Sequence, residues 1–525
     1  MALIYNASFD STTRVLSLLD KAGNVISSCE VPSKEKYLTL TATEDNSSVA
    51  LKKVGGLIAS YEYRKNGGSW TSDNGGRITL NAGDRVEWRV TGGLANVSTE
   101  KYVKFVMTGK IAASNPVTSM MGSVSDHTRF SGRGSYLFKD CTSLVRAPEL
   151  PATALPPSCY YHMFEGCTSL VQAPALPATT LENGCYSGMF YGCTSLVQAP
   201  ELPATKLSDY CYSQMFEECT GLTQAPALPA MALKKYCYRG MFRGCTGLTQ
   251  APKLPATTLE EYCYSGMFEG CTGLTQAPAL HATALEKGCY SGMFSGCTSL
   301  TQAPALPATA LYTYCYQSMF YGCTGLTQAP KLPATRLYWY STGYSDHCYQ
   351  SMFEGCTSLI QAPELPAKDV YSRCYKRMFY GCTSLTKAPE LPATKLGTES
   401  YQSMFEGCTG LTQAPALPAT ALSGWSCYKG MFRGCTGLTQ APELPATTLA
   451  ESCYYQMFEN CTSLNEVRIS ATTTATDALI GWLSGVSATG DFYCDPNATI
   501  FPANSTSGIP RNWVRHALAD YPVTP

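Results

Sequence analysis

The most regular feature of the chain is a phrase of apolar and polar positions that recurs from residue 134 to residue 464. One copy, at residues 263–285, reads CYSGMFEGCTGLTQAPALHATAL. The apolar positions are nearly the same in every copy, whereas the position after Met-Phe changes from Glu217 to Arg243 to Ser295. Constant apolar and changing polar positions indicate a buried and an exposed side of one repeated unit.

The period of this phrase predicts the architecture. The cysteine of each Cys-Thr step is used here as a marker; successive markers are 26 residues apart seven times, then 33, 26, 26, 27 and 26 residues apart. A fixed period in the twenties predicts a solenoid, because each coil buries its apolar face on its neighbours. The thirteen marker cysteines are Cys141, Cys167, Cys193, Cys219, Cys245, Cys271, Cys297, Cys323, Cys356, Cys382, Cys408, Cys435 and Cys461.

Each coil is expected to contain one helical arm and one short strand. The Cys-Tyr-x-x-Met-Phe stretch has the i, i+4 apolar spacing of a helical turn or two, ended by the glycine of Gly-Cys-Thr. Leu-Thr-Gln-Ala predicts a strand, and the proline after it stops the strand because proline cannot donate a ladder hydrogen bond. Leu-Pro-Ala-Thr-x-Leu then forms the return arm. This is the layout of a leucine-rich-repeat α/β solenoid.

The Met-Phe-x-Gly-Cys-Thr-x-Leu and Ala-Pro-x-Leu-Pro steps resemble the BspA-type leucine-rich repeats of gut Bacteroidales and their phages, over about residues 134–464. The chain departs from that pattern in its 26-residue period and in the proline inside the strand. The resemblance implies surface recognition and adhesion rather than catalysis.

The fold predicted for the whole chain is multidomain, an N-terminal all-β part followed by a leucine-rich-repeat solenoid of about thirteen coils with a C-terminal cap. Residues 1–35 predict a β-hairpin, which either anchors the chain to another protein or packs on the next domain, and residues 36–125 predict a β-sandwich-like domain. The solenoid is expected over 126–465 and the cap over 466–525, with an amphipathic helix at Thr474–Leu483. Trp70 and Trp88 are expected to be core or edge residues of the sandwich, and Trp482 and Trp513 core residues of the cap.

The cysteines form a second repeated pattern. Of 26 cysteines, 24 lie in the array, namely the thirteen markers and eleven others placed eight residues upstream of a marker. Three arrangements fit this spacing: two columns of buried thiols, a disulfide in each coil, or a ladder of bound metal. We expect buried thiols, because Cys141 and Cys408 have no cysteine partner in their own coil and free cysteine packs as a small apolar residue. The Cys-x-x-Cys pairs and histidine clusters of zinc sites are missing, so no metal is expected.

The sequence offers no catalytic constellation. Lys plus Arg total 38 against 39 for Asp plus Glu, so no basic surface suited to nucleic acid is expected. No run of 18 apolar residues predicts a membrane span. The five histidines are scattered, and neither a phosphate-binding loop nor a Gly-x-Ser-x-Gly elbow is present. We expect a protein that is not an enzyme and needs no cofactor.

The array departs most from its own period in one loop. Ten residues separate Leu337 from Cys348 where most coils have three, and the 27-residue coil is lengthened at the same position. Insertions at one loop position lie on one face of a solenoid, and exposed aromatic side chains stack on sugars or anchor protein contacts. The candidate binding residues are therefore the aromatic residues of these two loops, unless they cover a gap in the coil instead: Tyr338, Trp339, Tyr340, Tyr344 and Trp425.

The N-terminal stretch MALIYNASFD lacks the basic and apolar regions of a secretory signal. An adhesion-type array without an export signal is expected of a virion protein, such as a head or tail fibre of a Bacteroides-infecting, crAss-like phage. Its N-terminal region would bind other virion proteins, and its array would bind a bacterial surface receptor or polysaccharide. The rival interpretations are a bacterial cell-surface adhesin, a cytoplasmic scaffold, and an enzyme with a repeat-based specificity arm. Assembly into a homo-oligomer stays open.

Overall fold

The structure is a computed structural model that describes residues 6–10, 15–19, 21–22, 25–30, 37–92, 94, 97–121, 132, 134–337, 347–503, 505 and 507–521. It confirms the predicted solenoid with an all-β N-terminal part and a C-terminal cap. Among the described residues there is no α-helix, so the predicted helical arm is wrong. In the same part of the chain, no helix has the length and apolar character that a membrane span requires.

The N-terminal segment forms a three-stranded antiparallel sheet of β1 (Asn6–Asp10), β2 (Val15–Leu19) and β3 (Val25–Glu30). The predicted hairpin corresponds to β2 and β3, and β1 adds a strand that the pattern did not predict. A third strand matters because an isolated hairpin is only marginally stable in water.

The next domain contains eight strands in two layers. They are β4 (Leu38–Ala42), β5 (Ser47–Lys53), β6 (Ser60–Lys65), β7 (Thr71–Ser72), β8 (Ile78–Leu80), β9 (Arg85–Gly92), β10 (Val103–Thr108) and β11 (Ile111–Ser114), followed by a 3₁₀ turn at Val117–Met120. One sheet has the order β10-β5-β8 and the other β11-β4-β9-β6-β7. Trp88 is fully buried between them, as predicted. Trp70 lies between Arg64 and Arg89, whose guanidinium carbons are 4.9 and 4.1 Å from its ring, so its own neighbours cover it.

The sandwich continues directly into the solenoid and closes its N-terminal end. Strand β12 (Leu144–Arg146), in the first coil, pairs in parallel with β11. The ring of Phe105 stacks on Phe138 at 5.3 Å, and the Phe105 N–H donates to the Leu137 carbonyl at 2.8 Å. The apolar core of the array is therefore covered by a folded domain, which shields the exposed end that a solenoid would otherwise leave.

The arm predicted as helix is a run of consecutive β-turns. In the coil of Cys193, the Ser187 N–H donates to the Gly184 carbonyl, and the Met189 N–H donates to the Tyr186 carbonyl. The third residue of each turn, Tyr186 or Gly188, has a φ of about 60°, which identifies type II turns. The alternate N–H groups, such as that of Gly188, donate to the next coil. Apolar spacing of four residues therefore arises here without a helix.

The strands of the array are shorter than predicted and lie mainly in the return arm. Parallel two-residue strands pair in neighbouring coils: β13 (Thr180–Leu181) with β14 (Lys206–Leu207), β15 (Ala232–Leu233) with β16 (Thr258–Leu259), β17 (Ala310–Leu311) with β18 (Arg336–Leu337), and β19 (Asp369–Val370) with β20 (Lys395–Leu396). The predicted Leu-Thr-Gln-Ala strand is reduced to a single parallel bridge at the glutamine. The proline two residues later explains why the pairing extends no further.

Identical side chains stack into columns inside the solenoid. The phenylalanine rings of successive coils, from Phe138 to Phe458, are nearly parallel with centroids 5.4–5.7 Å apart. The methionine before each phenylalanine and the leucine three residues after each marker cysteine are also fully buried. Because each ring packs against two others, the core grows by one layer per coil.

The C-terminal cap begins with a degenerate fourteenth coil. Residues 476–485 form the same run of consecutive β-turns as the coils before them. The Phe458 N–H donates to the Trp482 carbonyl, and Gly481 has a φ of 64°. The predicted helix at Thr474–Leu483 is therefore wrong. The buried side chains of Trp482 and Trp513 confirm their predicted place in the core. The strands here are β21 (Thr448–Leu449), β22 (Glu466–Arg468), β23 (Thr473–Thr474), β24 (Gly490–Cys494) and β25 (Trp513–Ala517), with a 3₁₀ turn at Leu518–Asp520.

Candidate recognition surface

One face of the solenoid carries a column of exposed amide side chains. The glutamine five residues after a marker cysteine forms a parallel bridge with its counterpart in the next coil, as between Gln172 and Gln198. The preceding residue is also exposed and is threonine in most coils, with Val171, Val197 and Ile360 as exceptions. We call this surface the Gln–Thr face. Its glutamine positions are Gln172, Gln198, Gln224, Gln250, Gln276, Gln302, Gln328, Gln361, Lys387, Gln413 and Gln440.

Shallow grooves run between neighbouring coils beside the Gln–Thr face. One groove is lined by Gln172, Pro174 and Pro177 of one coil and by Gln198 and Pro200 of the next. An equivalent groove lies one coil earlier. Proline has no N–H, so the hydrogen-bonding groups in this groove are carbonyls, glutamine amides and one glutamate carboxylate. Such a surface suits a long, hydroxyl-rich partner that crosses several coils.

A second surface is an edge built from the residue directly before each upstream cysteine. The rings of Tyr210 and Tyr236 are 4.8 Å apart, and those of Tyr236 and Tyr262 are 5.2 Å apart, all nearly parallel. Further along the same column, Tyr314 stacks on His347 at 4.9 Å. We call these five residues the tyrosine edge. Because the stacked rings cover each other's faces, the ring edges and hydroxyl groups are what they offer to a partner.

Between the stack of three tyrosines and the Tyr314–His347 pair, the tyrosine edge has a glycine, and a lysine lies beside it. A Cβ atom on Gly288 would lie 2.3 Å from the ring of Tyr262, so this ring lies over the glycine of the following coil. The ammonium nitrogen of Lys287 is 6.0 Å from the Tyr262 ring centre and 5.6 Å from that of Tyr314. The lysine therefore bridges the gap that Gly288 leaves, through cation–π contacts with both rings.

Charged side chains beside the tyrosine edge are paired with each other. Lys234 contacts Glu260 at 2.7 Å, and Lys235 contacts Glu261 at 3.4 Å. Each pair joins neighbouring coils at equivalent positions. Because opposite charges compensate one another along this edge, the surface has no strong electrostatic preference for a polyanion or a polycation.

A tight ion-pair cluster lies further along the same side of the solenoid. Glu399 accepts hydrogen bonds from Arg373 at 2.8 Å and from Lys376 at 2.6 Å. Partial burial opposes ionisation of Glu399, but these two hydrogen bonds outweigh it and lower its pKa to about 2. The cluster ties two neighbouring coils together at any pH where this carboxylate is ionised.

Of the candidate residues predicted from the sequence, Trp425 is described, and its side chain is 63% exposed. Its carbonyl accepts the Glu399 N–H at 2.9 Å, so its backbone joins the ladder between coils while the ring lies outside. Tyr338, Trp339, Tyr340 and Tyr344 lie outside the described residues. The insertion that contains them runs directly into His347, so it joins the array at the tyrosine edge.

Sequence reasoning missed the tyrosine edge, although a signal for it exists. Four coils contain Tyr-Cys-Tyr, and the two tyrosines have opposite environments. In the coil of Cys245, Tyr238 is 1% exposed and belongs to the core, whereas Tyr236 lies on the edge. The tyrosine after the upstream cysteine recurs in every coil that has this cysteine, as core positions do, whereas the residue before that cysteine changes from coil to coil.

The cysteines form two columns of free, buried thiols in the described part of the chain. Each marker thiol donates to the phenylalanine carbonyl of the preceding coil, or to that of Phe105 for the first coil, at 2.9–3.3 Å. Burial raises the thiol pKa to about 12 for Cys271 and Cys323. A protonated thiol is a poor nucleophile and metal ligand. Among the described residues, no group of three or more His, Cys, Asp or Glu side chains could hold a metal ion.

Comparison with known proteins gives one match. Residues 131–275 match the family model for the BspA type leucine rich repeat region, in six copies. This supports the resemblance drawn from the Met-Phe-x-Gly-Cys-Thr steps, and the coils beyond residue 275 continue the same columns. No curated protein and no solved structure matches the chain.

Proposed function

We propose that this chain is a non-enzymatic recognition protein that binds a bacterial surface polysaccharide or receptor along the outside of its solenoid. The observation that carries this proposal is the register of exposed polar groups. An amide or a hydroxyl side chain lies on the Gln–Thr face in every coil from that of Cys167 to that of Cys435, above a core that holds these groups in fixed columns. A repeated surface binds a repeated partner well, because each further contact is made at high effective concentration.

The chemistry of the described residues supports binding rather than catalysis. The cysteines, which are the most nucleophilic side chains in the array, are buried with their protons donated to carbonyls, as for Cys271 and Phe242. We therefore propose that the protein acts without a cofactor or metal.

We further propose that the protein is part of a phage virion, as a head or tail fibre or a related appendage. Its N-terminal sheet, β1 to β3, would attach it to other virion proteins, and the solenoid would project towards the host. The thiol columns support assembly in a reducing cytosol, where phage particles form and where thiols stay reduced.

The alternative is a bacterial cell-surface adhesin. The match to BspA type repeats is the observation that favours it, and it is equally compatible with the recognition surface. The two settings differ in where the chain is found and not in what the solenoid would do.

Mass spectrometry of purified virions tests the setting. We expect peptides of this chain to co-purify with capsid proteins through a density gradient. Peptides found only on intact bacterial cells after surface biotinylation would support the adhesin instead.

Binding of the full chain to a panel of purified capsular polysaccharides tests recognition itself. We expect at least one polysaccharide to bind saturably, with an affinity that falls when the polymer is cut to fragments that span a single coil. Absence of binding to every polysaccharide and to intact cells would contradict the proposed function.

A further inference from the structure

The tyrosine edge lacks one ring at its N-terminal end. Tyr236 stacks on the C-terminal side of the Tyr210 ring, at 4.8 Å and 8°. The equivalent residue in the preceding coil is Gly184, which has no side chain to cover the other side. Consistent with this, Tyr210 is 44% exposed, whereas Tyr236 and Tyr262 are less exposed.

The direction of the stack shows where the absent ring would lie. The ring of Tyr262 leans over Gly288, the equivalent residue of the next coil. A side chain at residue 184 would lean in the same way and would lie against the uncovered face of Tyr210. We define this space, on the face of the Tyr210 ring that is turned away from Tyr236, as the open position.

Polar side chains surround the open position. Glu182 and Asn183 precede Gly184 directly, and both are exposed. Asp209 precedes Tyr210, and its carboxylate accepts the Lys235 N–H at 3.2 Å. These groups provide hydrogen-bond acceptors and an amide donor beside an aromatic face.

We propose that the open position binds one neutral pyranose ring of a surface polysaccharide, which stacks on Tyr210 and completes the column of rings. A pyranose has an apolar C–H face suited to an aromatic ring and hydroxyl groups suited to Glu182 and Asn183. The carboxylates of Glu182 and Asp209 beside the open position repel an anionic sugar, which favours a neutral one. This inference rests on the proposed recognition of polysaccharide and locates one contact of it.

The opposite substitution gives the sharpest test. Gly184→Tyr fills the open position with the side chain that four other coils have at the equivalent residue, and Tyr210 itself adopts this backbone with a φ of 61°, against 68° for Gly184. The variant is therefore expected to fold. Tyr210→Ala removes the stacking face. Tyr236→Phe is the matched control, because it keeps a covered ring of the same stack and removes only a hydroxyl group.

Binding to the full chain is measured by saturation-transfer NMR. The probes are methyl β-D-glucopyranoside, methyl β-D-galactopyranoside and N-acetyltyrosine amide. We expect transfer to at least one pyranoside in the wild type and in Tyr236→Phe, and a loss of about tenfold or more in affinity for Gly184→Tyr and Tyr210→Ala. Transfer to the tyrosine amide alone, transfer to no probe, or unchanged pyranoside binding by Gly184→Tyr would each overturn the proposal.

The polysaccharide panel separates this proposal from the proposed function. If wild type and Gly184→Tyr bind a polysaccharide equally well, the open position is not a sugar site but recognition by the solenoid stands. If the wild type binds no polysaccharide, the proposed function fails as well.

Discussion

At the scale of single residues, each coil depends on side chains that make the same contact at the same position. The marker thiol donates to the preceding coil, so it acts both as an apolar filler and as a hydrogen-bond donor. Replacement by alanine would remove both. Where Ser400 takes the upstream position, its hydroxyl is completely buried, which shows how little room the column leaves.

The thiols are expected to be unreactive until the protein unfolds. Ellman's reagent should label few or none of the 25 described cysteines in the native chain, because burial excludes the reagent and raises the thiol pKa. In denaturant nearly all 26 cysteines should react. Thr272→Cys, at an exposed position, supplies a control thiol that should react at once. Recovery of only a few thiols after unfolding would reveal disulfides and contradict the structure.

The Glu399 cluster is expected to make the stability of the fold depend on pH. Its pKa of about 2 lies below the ordinary value of about 4.3, so the ionised form stabilises the fold above about pH 4. That contribution is lost as the pH falls towards 2. We expect the urea midpoint of wild type to exceed that of Glu399→Gln at pH 5, with the difference shrinking at pH 2.5. A difference that stays constant with pH would show that the carboxylate is not held by Arg373 and Lys376.

Single-residue features divide into those that the sequence predicts and those that it does not. Burial of Phe268, Cys271 and Leu274 follows from their constancy across coils, and the exposure of Trp425 follows from its place in a lengthened loop. The stacking of Tyr236 on Tyr210 and Tyr262 does not follow, because it depends on how neighbouring coils align an exposed position that is not constant along the chain.

At the scale of elements, the coil is the unit of stability. Its turn run donates alternately within the coil and to the next coil, so every second N–H is satisfied only when a neighbour is present. The four-residue apolar spacing predicted a helix here. Residues with positive φ four positions apart, such as Gly266 and Gly270, instead favour type II turns. The period was predictable, whereas the backbone conformation within it was not.

Removal of one whole coil is expected to preserve the fold. Deletion of residues 246–271 joins Cys245 to Thr272 and keeps every column in register, because the period is 26 residues. Each coil contacts only its neighbours, so cooperative unfolding should persist with a small decrease in Tm. Deletion of residues 246–258, half a period, shifts the columns and should abolish cooperative unfolding. Equal behaviour of both deletions in circular dichroism melts would contradict the stacked-coil structure.

At the scale of the whole molecule, a continuous core joins three parts. The stack of rings begins at Trp88 and Phe105 in the sandwich, runs through the array, and ends at Trp482 in the cap. Both ends of the solenoid are thus covered. A repeat array needs such caps, because its apolar end faces would otherwise be exposed to water. Evenly spaced polar columns on a core of this kind form a long surface of fixed geometry, suited to a polymeric partner.

The most direct test of recognition by the outside of the solenoid combines two variants of its aromatic loops. Deletion of residues 338–344 restores the normal loop length, and Trp425→Ala removes a side chain that is 63% exposed. Residues in excess of the repeat period are not needed for the repeated interfaces between coils, and Trp425 is mostly exposed, so both variants should melt at the wild-type temperature. Ile58→Ala, at a 73% exposed apolar position in the sandwich, is the matched control.

The measurement is binding of each full-length variant to intact Bacteroides cells and to their capsular polysaccharide, with Tm measured on the same samples. We expect the loop deletion and Trp425→Ala each to weaken binding by about tenfold or more while the Tm stays unchanged, and Ile58→Ala to bind as wild type does. Wild-type binding by both loop variants, or a large fall in their Tm, would contradict this expectation, because the aromatic residues would then pack the coil rather than bind a partner.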